Sequence, residues 1–199
     1  MEKKKREIKI ALDLAFLVVC GGLLYLATLF IYKAYPDLAV AEDFFFMHTP
    51  YVNILWLADL IVTIAVASFI VYMIRHKKVN ELPFYAVLLG VYYFLKAVFI
   101  YLTPLGNPHP SPGTGLGFLP SGGMFPSGHL GTIFLLFLFT LDSKSKYWKS
   151  YFIILTIFEA VAMILSRGHY TIDLVGALFI AYTVWKIGSE HFKKRLVLK

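Results

Sequence analysis

The chain has 199 residues, of which 59% are hydrophobic and only 16% are charged, and its mean hydropathy is +0.71. This composition excludes an ordinary soluble domain, because too little charge is present to cover its surface. The net charge of +7 does not indicate a nucleic-acid partner, since the positive residues flank apolar segments instead of forming one face. The sequence therefore predicts an integral, multi-pass membrane protein that works in a lipid bilayer, and it leaves protein partners unknown.

Five or six apolar segments are long enough, or nearly so, to cross a hydrocarbon core, which needs about 20 residues per helix. The first follows a basic N-terminal segment and is longer than the core of a signal peptide, so we expect a retained helix. The short connections favour one all-α membrane domain over residues 1–199. The predicted helices cover residues 10–32, 54–74, 82–102, 127–141, 150–165 and 169–187.

Between the third and fourth predicted helices, residues 103–125 are rich in proline and glycine, so we expect neither a spanning helix nor a strand there. The positive residues predict the orientation, because they mark the cytoplasmic side of a membrane protein. Six crossings place all but three of the 19 lysine and arginine residues on one side, the exceptions being Lys33, Lys96 and Arg167. We therefore expect a six-transmembrane helical bundle with both termini in the cytoplasm.

Two short motifs place polar and ionisable groups in these apolar surroundings, both on the extracytoplasmic side of the predicted bundle. One is residues 126–129, Pro-Ser-Gly-His, and the other is residues 166–173, Ser-Arg-Gly-His-Tyr-Thr-Ile-Asp. His169 and Asp173 are four residues apart, so on a helix they share one face. The carboxylate can then accept a hydrogen bond from one imidazole nitrogen and leave the other nitrogen free to react.

The start of the fourth predicted helix favours an anion, because unpaired N–H groups and the positive end of the helix dipole lie there. Gly128 permits close approach of the backbone, and the Ser127 hydroxyl can donate a hydrogen bond. Lys96 and Arg167 add two positive charges on the same side. This set of groups predicts a phosphate-binding site. Phosphoryl transfer there needs charge neutralisation, a nucleophile and an acid, but no metal ion or other cofactor.

Structural explanations compete with these functional ones. Ser127 occupies a helix N-cap position, and Lys96 and Arg167 could anchor helix ends at the membrane interface. Glu159 lies in the fifth predicted helix, at a depth where a carboxylate needs a partner or is neutral. We expect Glu159 to line an acyl or headgroup cavity or to pair with a polar group of another helix. Asp59, in the second helix, is a weaker case of the same kind.

These motifs resemble the type 2 phosphatidic acid phosphatase superfamily of membrane lipid phosphatases and phosphotransferases. Its motifs are Lys-x6-Arg-Pro, Pro-Ser-Gly-His and Ser-Arg-x5-His-x3-Asp, and the second is intact at residues 126–129. The first begins at Lys96 but has threonine in place of arginine, and the third has one residue between Arg167 and His169. The His-Tyr-Thr-Ile-Asp run is similar to the sphingomyelin synthase branch of this superfamily. The resemblance covers roughly residues 82–187.

The resemblance implies that His169 attacks phosphorus to give a phosphohistidine, with Asp173 orienting it. His129 would protonate the departing alkoxide and then activate water or a lipid hydroxyl. Residues 82–188 would form the catalytic core and residues 1–81 a scaffold. The implied substrate is a membrane lipid, and its phosphate would be held by Lys96, Ser127, Gly128 and Arg167.

The acceptor separates the enzymatic alternatives. Water would make the protein a lipid phosphatase or a phospholipase C-like enzyme, whereas a ceramide or diacylglycerol hydroxyl would make it a sphingomyelin synthase-like transferase. A serine hydrolase would use Ser127 as its nucleophile, and a metal hydrolase would use His129, His169 and Asp173 as ligands. A lipid-binding protein without enzymatic activity would leave all these groups unused.

Overall fold

The computed structural model describes residues 2–109 and 123–192, and within these ranges the protein is all-helical, as predicted. A short 3-10 turn, Val79–Glu81, precedes the fourth helix. The described residues of the proline- and glycine-rich segment, 103–109 and 123–125, form neither helix nor strand, while residues 110–122 and the C-terminal basic residues 193–199 lie outside the described ranges. The helices are α1 Glu2–Ala34, α2 Phe44–His48, α3 Leu55–Arg75, α4 Leu82–Leu102, α5 Gly128–Phe139, α6 Lys146–Leu165 and α7 Thr171–His191.

Five helices in the described part of the chain are long and apolar enough to cross a membrane, namely α1, α3, α4, α6 and α7. The remaining predicted span, α5, ends at Phe139, before the predicted residue 141, and has 12 residues. At 1.5 Å per residue it is about 18 Å long, shorter than a hydrocarbon core of about 30 Å. The sixth crossing and the cytoplasmic position of both termini therefore stay predictions.

The short helix α5 forms the centre of the bundle. It packs against α3, α4, α6 and α7, and Leu130, Ile133 and Leu135 on it have no exposed surface. A helix that is apolar on all sides is a buried helix, which explains how a short apolar segment fits here. By contrast, α1 packs mainly against α4 and exposes large apolar side chains such as Val18, as a lipid-facing helix does.

Three helix starts differ from the sequence prediction by two residues or more, and the largest difference is in α1, which begins at Glu2 instead of residue 10. α6 begins at Lys146 instead of residue 150, and α7 begins at Thr171 instead of residue 169. Tyr170 is the N-cap of α7, and its N–H donates to Asp173 Oδ2 at 3.0 Å. The first turn of α7 is therefore closed by Asp173, and His169 lies before the helix instead of on its face.

Gly131 permits a close contact between α5 and α4. A Cβ at this position would lie 1.9 Å from the hydroxyl oxygen of Tyr92, which is fully buried and donates to the Ser127 carbonyl at 2.7 Å. We expect Gly131→Ala to displace the Tyr92 ring and to destabilise the protein by about 1–3 kcal/mol. The melting temperature in detergent should fall accordingly.

The matched control is Gly21→Ala in α1, where an added Cβ meets nothing within 4 Å. There we expect an unchanged or slightly higher melting temperature, because alanine is the better helix former. Equal melting temperatures for the two variants would contradict the close contact at Gly131.

Candidate active site

His169 and Asp173 form a buried pair at the start of α7. The imidazole Nδ1 lies 3.1 Å from Asp173 Oδ2, and the exposed fraction is 7% for His169 and zero for Asp173. Because Nδ1 faces the carboxylate, Nε2 is the nitrogen left for a reacting atom. The predicted contact is present, but it is made across the N-terminus of the helix and not along one helix face.

Burial controls the charge of His169. It lowers the pKa of this imidazole to about 4, and the nearby charges of Lys96 and His129 act in the same direction, while the hydrogen bond to Asp173 opposes them. His169 is therefore neutral near pH 7, with a lone pair on Nε2. A backbone contact brings the two histidine motifs together, because the N–H of Ser127 donates to the Asp173 carbonyl at 3.0 Å.

Lys96 reaches the first turn of α5 from α4. Its Nζ donates a hydrogen bond to the Pro126 carbonyl at 2.5 Å, and a Cβ at Gly128 would lie 3.5 Å from that nitrogen. The Lys96 side chain is buried and interacts electrostatically with Asp173. Sequence reasoning predicted a positive charge beside this helix start, and the fold brings the two together.

Ser127 caps α5 and also joins the two motifs. Its Oγ accepts the N–H of Leu130 at 3.4 Å, and its own N–H donates to the Asp173 carbonyl at 3.0 Å. The capping explanation for Ser127 therefore has direct geometric support. The N–H groups of Gly128 and His129, in the first turn, have no acceptor within their own helix and are the donors suited to an anion.

His129 has a carboxylate partner that the motifs did not reveal. Its Nε2 lies 2.9 Å from Oδ1 of Asp59 in α3, so the second histidine is paired as the first one is. The sequence alone marks Asp59 as a weak candidate and assigns it no partner. The sequence feature that could have identified Asp59 is its charge within an apolar span, because ionisable residues in such spans are usually functional.

Arg167 contacts residues 35–53, the segment between α1 and α3, which we expect on the outer side and name the outer segment. Its Nη2 donates to the Phe46 carbonyl at 3.3 Å, and its guanidinium lies 5.7 Å from the Phe46 ring centroid and 5.8 Å from that of Tyr51. For Arg167, then, these contacts indicate a role in holding the outer segment. Its predicted role as a phosphate ligand stays a prediction.

The outer segment also holds the start of α7, through Asp43 and Ala41, which the motifs do not include. Asp43 Oδ2 accepts the N–H of Thr171 at 2.7 Å, and Asp43 Oδ1 accepts the hydroxyl hydrogen of Thr171 at 2.9 Å. The Tyr170 hydroxyl accepts the N–H of Ala41 at 3.0 Å and donates to the Gly106 carbonyl at 2.9 Å. These hydrogen bonds hold the backbone next to His169 in place.

Glu159 lies fully buried in α6, and in the described ranges neither of its carboxylate oxygens has a hydrogen-bond partner. It interacts electrostatically with Asp59, but the expected hydrogen bond to a polar group of another helix is not found among the described residues. Its predicted role in lining a cavity stays a prediction. No cluster of three or more potential metal ligands occurs in residues 2–109 and 123–192.

Residues 122–190 match a protein-family model described as PAP2 superfamily C-terminal. The matched region covers roughly a third of the chain and contains His129, His169 and Asp173, whereas Asp59 and Lys96 lie outside it. No curated protein matches the sequence. The family match supports the PAP2 superfamily and phosphoester chemistry for the part of the chain that carries both histidine motifs.

Proposed function

We propose that the protein is a membrane enzyme that hydrolyses or transfers a phosphate or phospho-headgroup of a membrane lipid through a phosphohistidine at His169. The observation that carries this proposal is the buried His169, oriented by Asp173, next to a helix start that also receives Lys96. The family match supports phosphoester chemistry at these residues. The reaction requires no metal ion, because fixed positive charge and backbone donors neutralise the phosphate.

In the first step, Nε2 of His169 attacks phosphorus while the bond from phosphorus to the glycerol oxygen breaks. His129 donates a proton to that oxygen, so the leaving group departs as a neutral alcohol. Lys96 and the first-turn N–H groups of α5 neutralise the non-bridging oxygens. The Asp173 carboxylate holds Nδ1–H of His169 and stabilises the positive charge that the imidazole gains.

In the second step, His129 accepts a proton from the acceptor, whose oxygen attacks phosphorus. The phosphorus–nitrogen bond breaks, and His169 returns to its neutral form. Water as the acceptor gives a lipid phosphatase or phospholipase C-like reaction. A ceramide or diacylglycerol hydroxyl gives sphingomyelin synthase-like headgroup transfer, which the His-Tyr-Thr-Ile-Asp run favours by resemblance.

We assign the site to the extracytoplasmic face. Both histidine motifs lie near the N-terminal ends of α5 and α7, whereas the basic residues Lys144, Lys146 and Lys149 follow the C-terminal end of α5. Because positive residues mark the cytoplasmic side, this distribution supports a site on the opposite side. An impermeant thiol reagent added to intact cells would test the assignment. It should react with a single cysteine at residue 105 and not with one at residue 76.

The function is tested by incubating the purified protein in detergent with phosphatidic acid, phosphatidylcholine and phosphatidylethanolamine, with a chelator present. The same panel is repeated with added ceramide or diacylglycerol. Free phosphate indicates a phosphatase, a free phosphorylated headgroup indicates a phospholipase C-like enzyme, and a new phospholipid indicates a transferase. Wild-type protein that produces none of these, in every condition, would contradict the proposed function.

The acid limb of the pH profile should reflect the buried position of His169. An imidazole with the ordinary pKa of about 6.5 is mostly protonated at pH 5.5, whereas His169, with its pKa lowered to about 4, keeps its lone pair there. We expect kcat/KM on a phosphodiester lipid to stay level as the pH falls to about 5 and to drop as it approaches 4. The pH profile in detergent measures this.

Unfolding must be separated from this titration. Between about pH 4 and 6.5 the unfolded state binds the proton that folded His169 does not, so the stability from this group is lost as the pH falls through that window. Activity recovered on return to neutral pH therefore serves as the control. A reversible acid limb centred near pH 6.5 would show that His169 is not desolvated as described.

A further inference from the structure

The structure contains two histidine–carboxylate pairs that use opposite ring nitrogens. Asp173 holds His169 at Nδ1, whereas Asp59 holds His129 at Nε2. The first pair is local, with partners four residues apart. The second pair joins α3 to α5 across 70 residues of sequence.

We infer that Asp59 is a positioning residue for His129: it holds the Nε2–H, so that Nδ1 is the atom that gives and takes the proton. This inference rests on the proposed function and adds α3, from the expected scaffold, to the machinery. A neutral imidazole carries one N–H. A carboxylate at Nε2 therefore favours the tautomer with its lone pair on Nδ1, which can accept a proton in the second step.

The proton transfers balance with this assignment. In the first step, protonated His129 has N–H groups at both nitrogens, and the Nδ1 proton moves to the glycerol oxygen as the bond to phosphorus breaks. His129 is then neutral, with Nε2–H still donated to Asp59. In the second step, Nδ1 takes the proton of water or a lipid hydroxyl as its oxygen attacks phosphorus. The doubly protonated ring is restored, and the Asp59 carboxylate keeps its charge throughout.

The burial and packing of this pair fit positioning better than a surface ion pair. The exposed fraction is 31% for the His129 side chain and 15% for that of Asp59, so the imidazole keeps an accessible side while the carboxylate is largely enclosed. α3 packs against both α5 and α6, which fixes the helix that carries Asp59. A carboxylate in an apolar span carries a desolvation penalty, and such groups are usually functional.

The leaving group provides the test, because a nitrophenolate departs without needing a proton. Wild type, Asp59→Asn and His169→Ala are compared in detergent on phosphatidic acid and on p-nitrophenyl phosphate, measuring alcohol release in the first turnover. If only phosphatidylcholine is cleaved by wild type, the pair is phosphatidylcholine and p-nitrophenyl phosphorylcholine. We expect Asp59→Asn to slow diacylglycerol release about 100-fold and nitrophenol release less than about tenfold.

The ratio of the two rates does not depend on how much of the variant is folded, since partial misfolding lowers both equally. Thr63→Ala is the matched control in α3: the exposed Thr63 hydroxyl bonds only to the Asp59 carbonyl in the described contacts, and its ratio should equal that of wild type. Asp59→Glu, which restores the carboxylate, should recover part of the diacylglycerol rate.

Each other outcome overturns the inference. Equal losses on the two substrates, or no loss on the lipid, would remove the positioning role while leaving the proposed function intact. An Asp59→Asn protein that fails to accumulate in membranes would assign the carboxylate to stability instead. Wild type no faster than His169→Ala on every substrate would refute the proposed function itself, and the inference with it.

Discussion

Replacing His169 with alanine should reduce lipid cleavage by about 10⁴-fold or more, to the background of the assay. Alanine removes the nucleophile, and removing the group that forms the covalent intermediate costs far more than removing one that supports it. The buried Asp173 keeps its bond to the Tyr170 N–H in this variant, so we expect α7 to retain its N-terminal turn. Product formation under chelator measures the loss.

The intermediate offers a second measurement on the same variant. Wild type mixed with radiolabelled lipid phosphate should carry label as a phosphoramidate, which acid releases and alkali preserves, and His169→Ala should carry none. His191→Ala is the matched control, since His191 is exposed at the opposite end of the same helix. Label that persists in His169→Ala would move the nucleophile to another residue, and label that is stable in acid but lost in alkali would indicate a phosphoserine, with Ser127 as the candidate.

Asp173→Asn should lower kcat by about 10³- to 10⁴-fold, with a much smaller change in KM. Comparable loss follows when the carboxylate that orients a catalytic histidine becomes an amide, here because an amide carries no negative charge to stabilise the imidazolium that forms when His169 attacks. The asparagine side-chain oxygen can still accept the Tyr170 N–H, so the turn that Asp173 closes is kept. Steady-state kinetics on the lipid that the panel identifies will separate kcat from KM.

Asp43→Asn is the control, because Asp43 binds the same helix start without touching His169. The Asp43 carboxylate accepts hydrogen bonds from the backbone N–H and the hydroxyl of Thr171. Its loss should therefore lower the melting temperature while changing kcat only slightly. The two variants therefore separate the support of a helix from the orientation of the imidazole. Similar kcat values for both would mean that Asp173 acts only through the fold.

The sequence by itself determined the features that are local in the chain. Composition and segment length predicted an all-helical membrane protein, and five described helices meet the criteria for a span. The contact between His169 and Asp173 followed from their spacing of four residues, which brings them together on a helix or, as found, across its first turn. Such contacts depend on a few backbone torsions, so a short motif is enough to predict them.

Only the tertiary structure decided which side chains of different helices meet. The pairing of Asp59 with His129, the bond from Lys96 to Pro126 and the contact of Arg167 with the outer segment all join distant parts of the chain. They depend on how each helix is rotated and how deeply it sits. In spans that are apolar on nearly every face, little periodicity reveals that rotation. The residue types of the site could therefore be predicted from its motifs, whereas the residues that contact them from other helices are determined by helix packing.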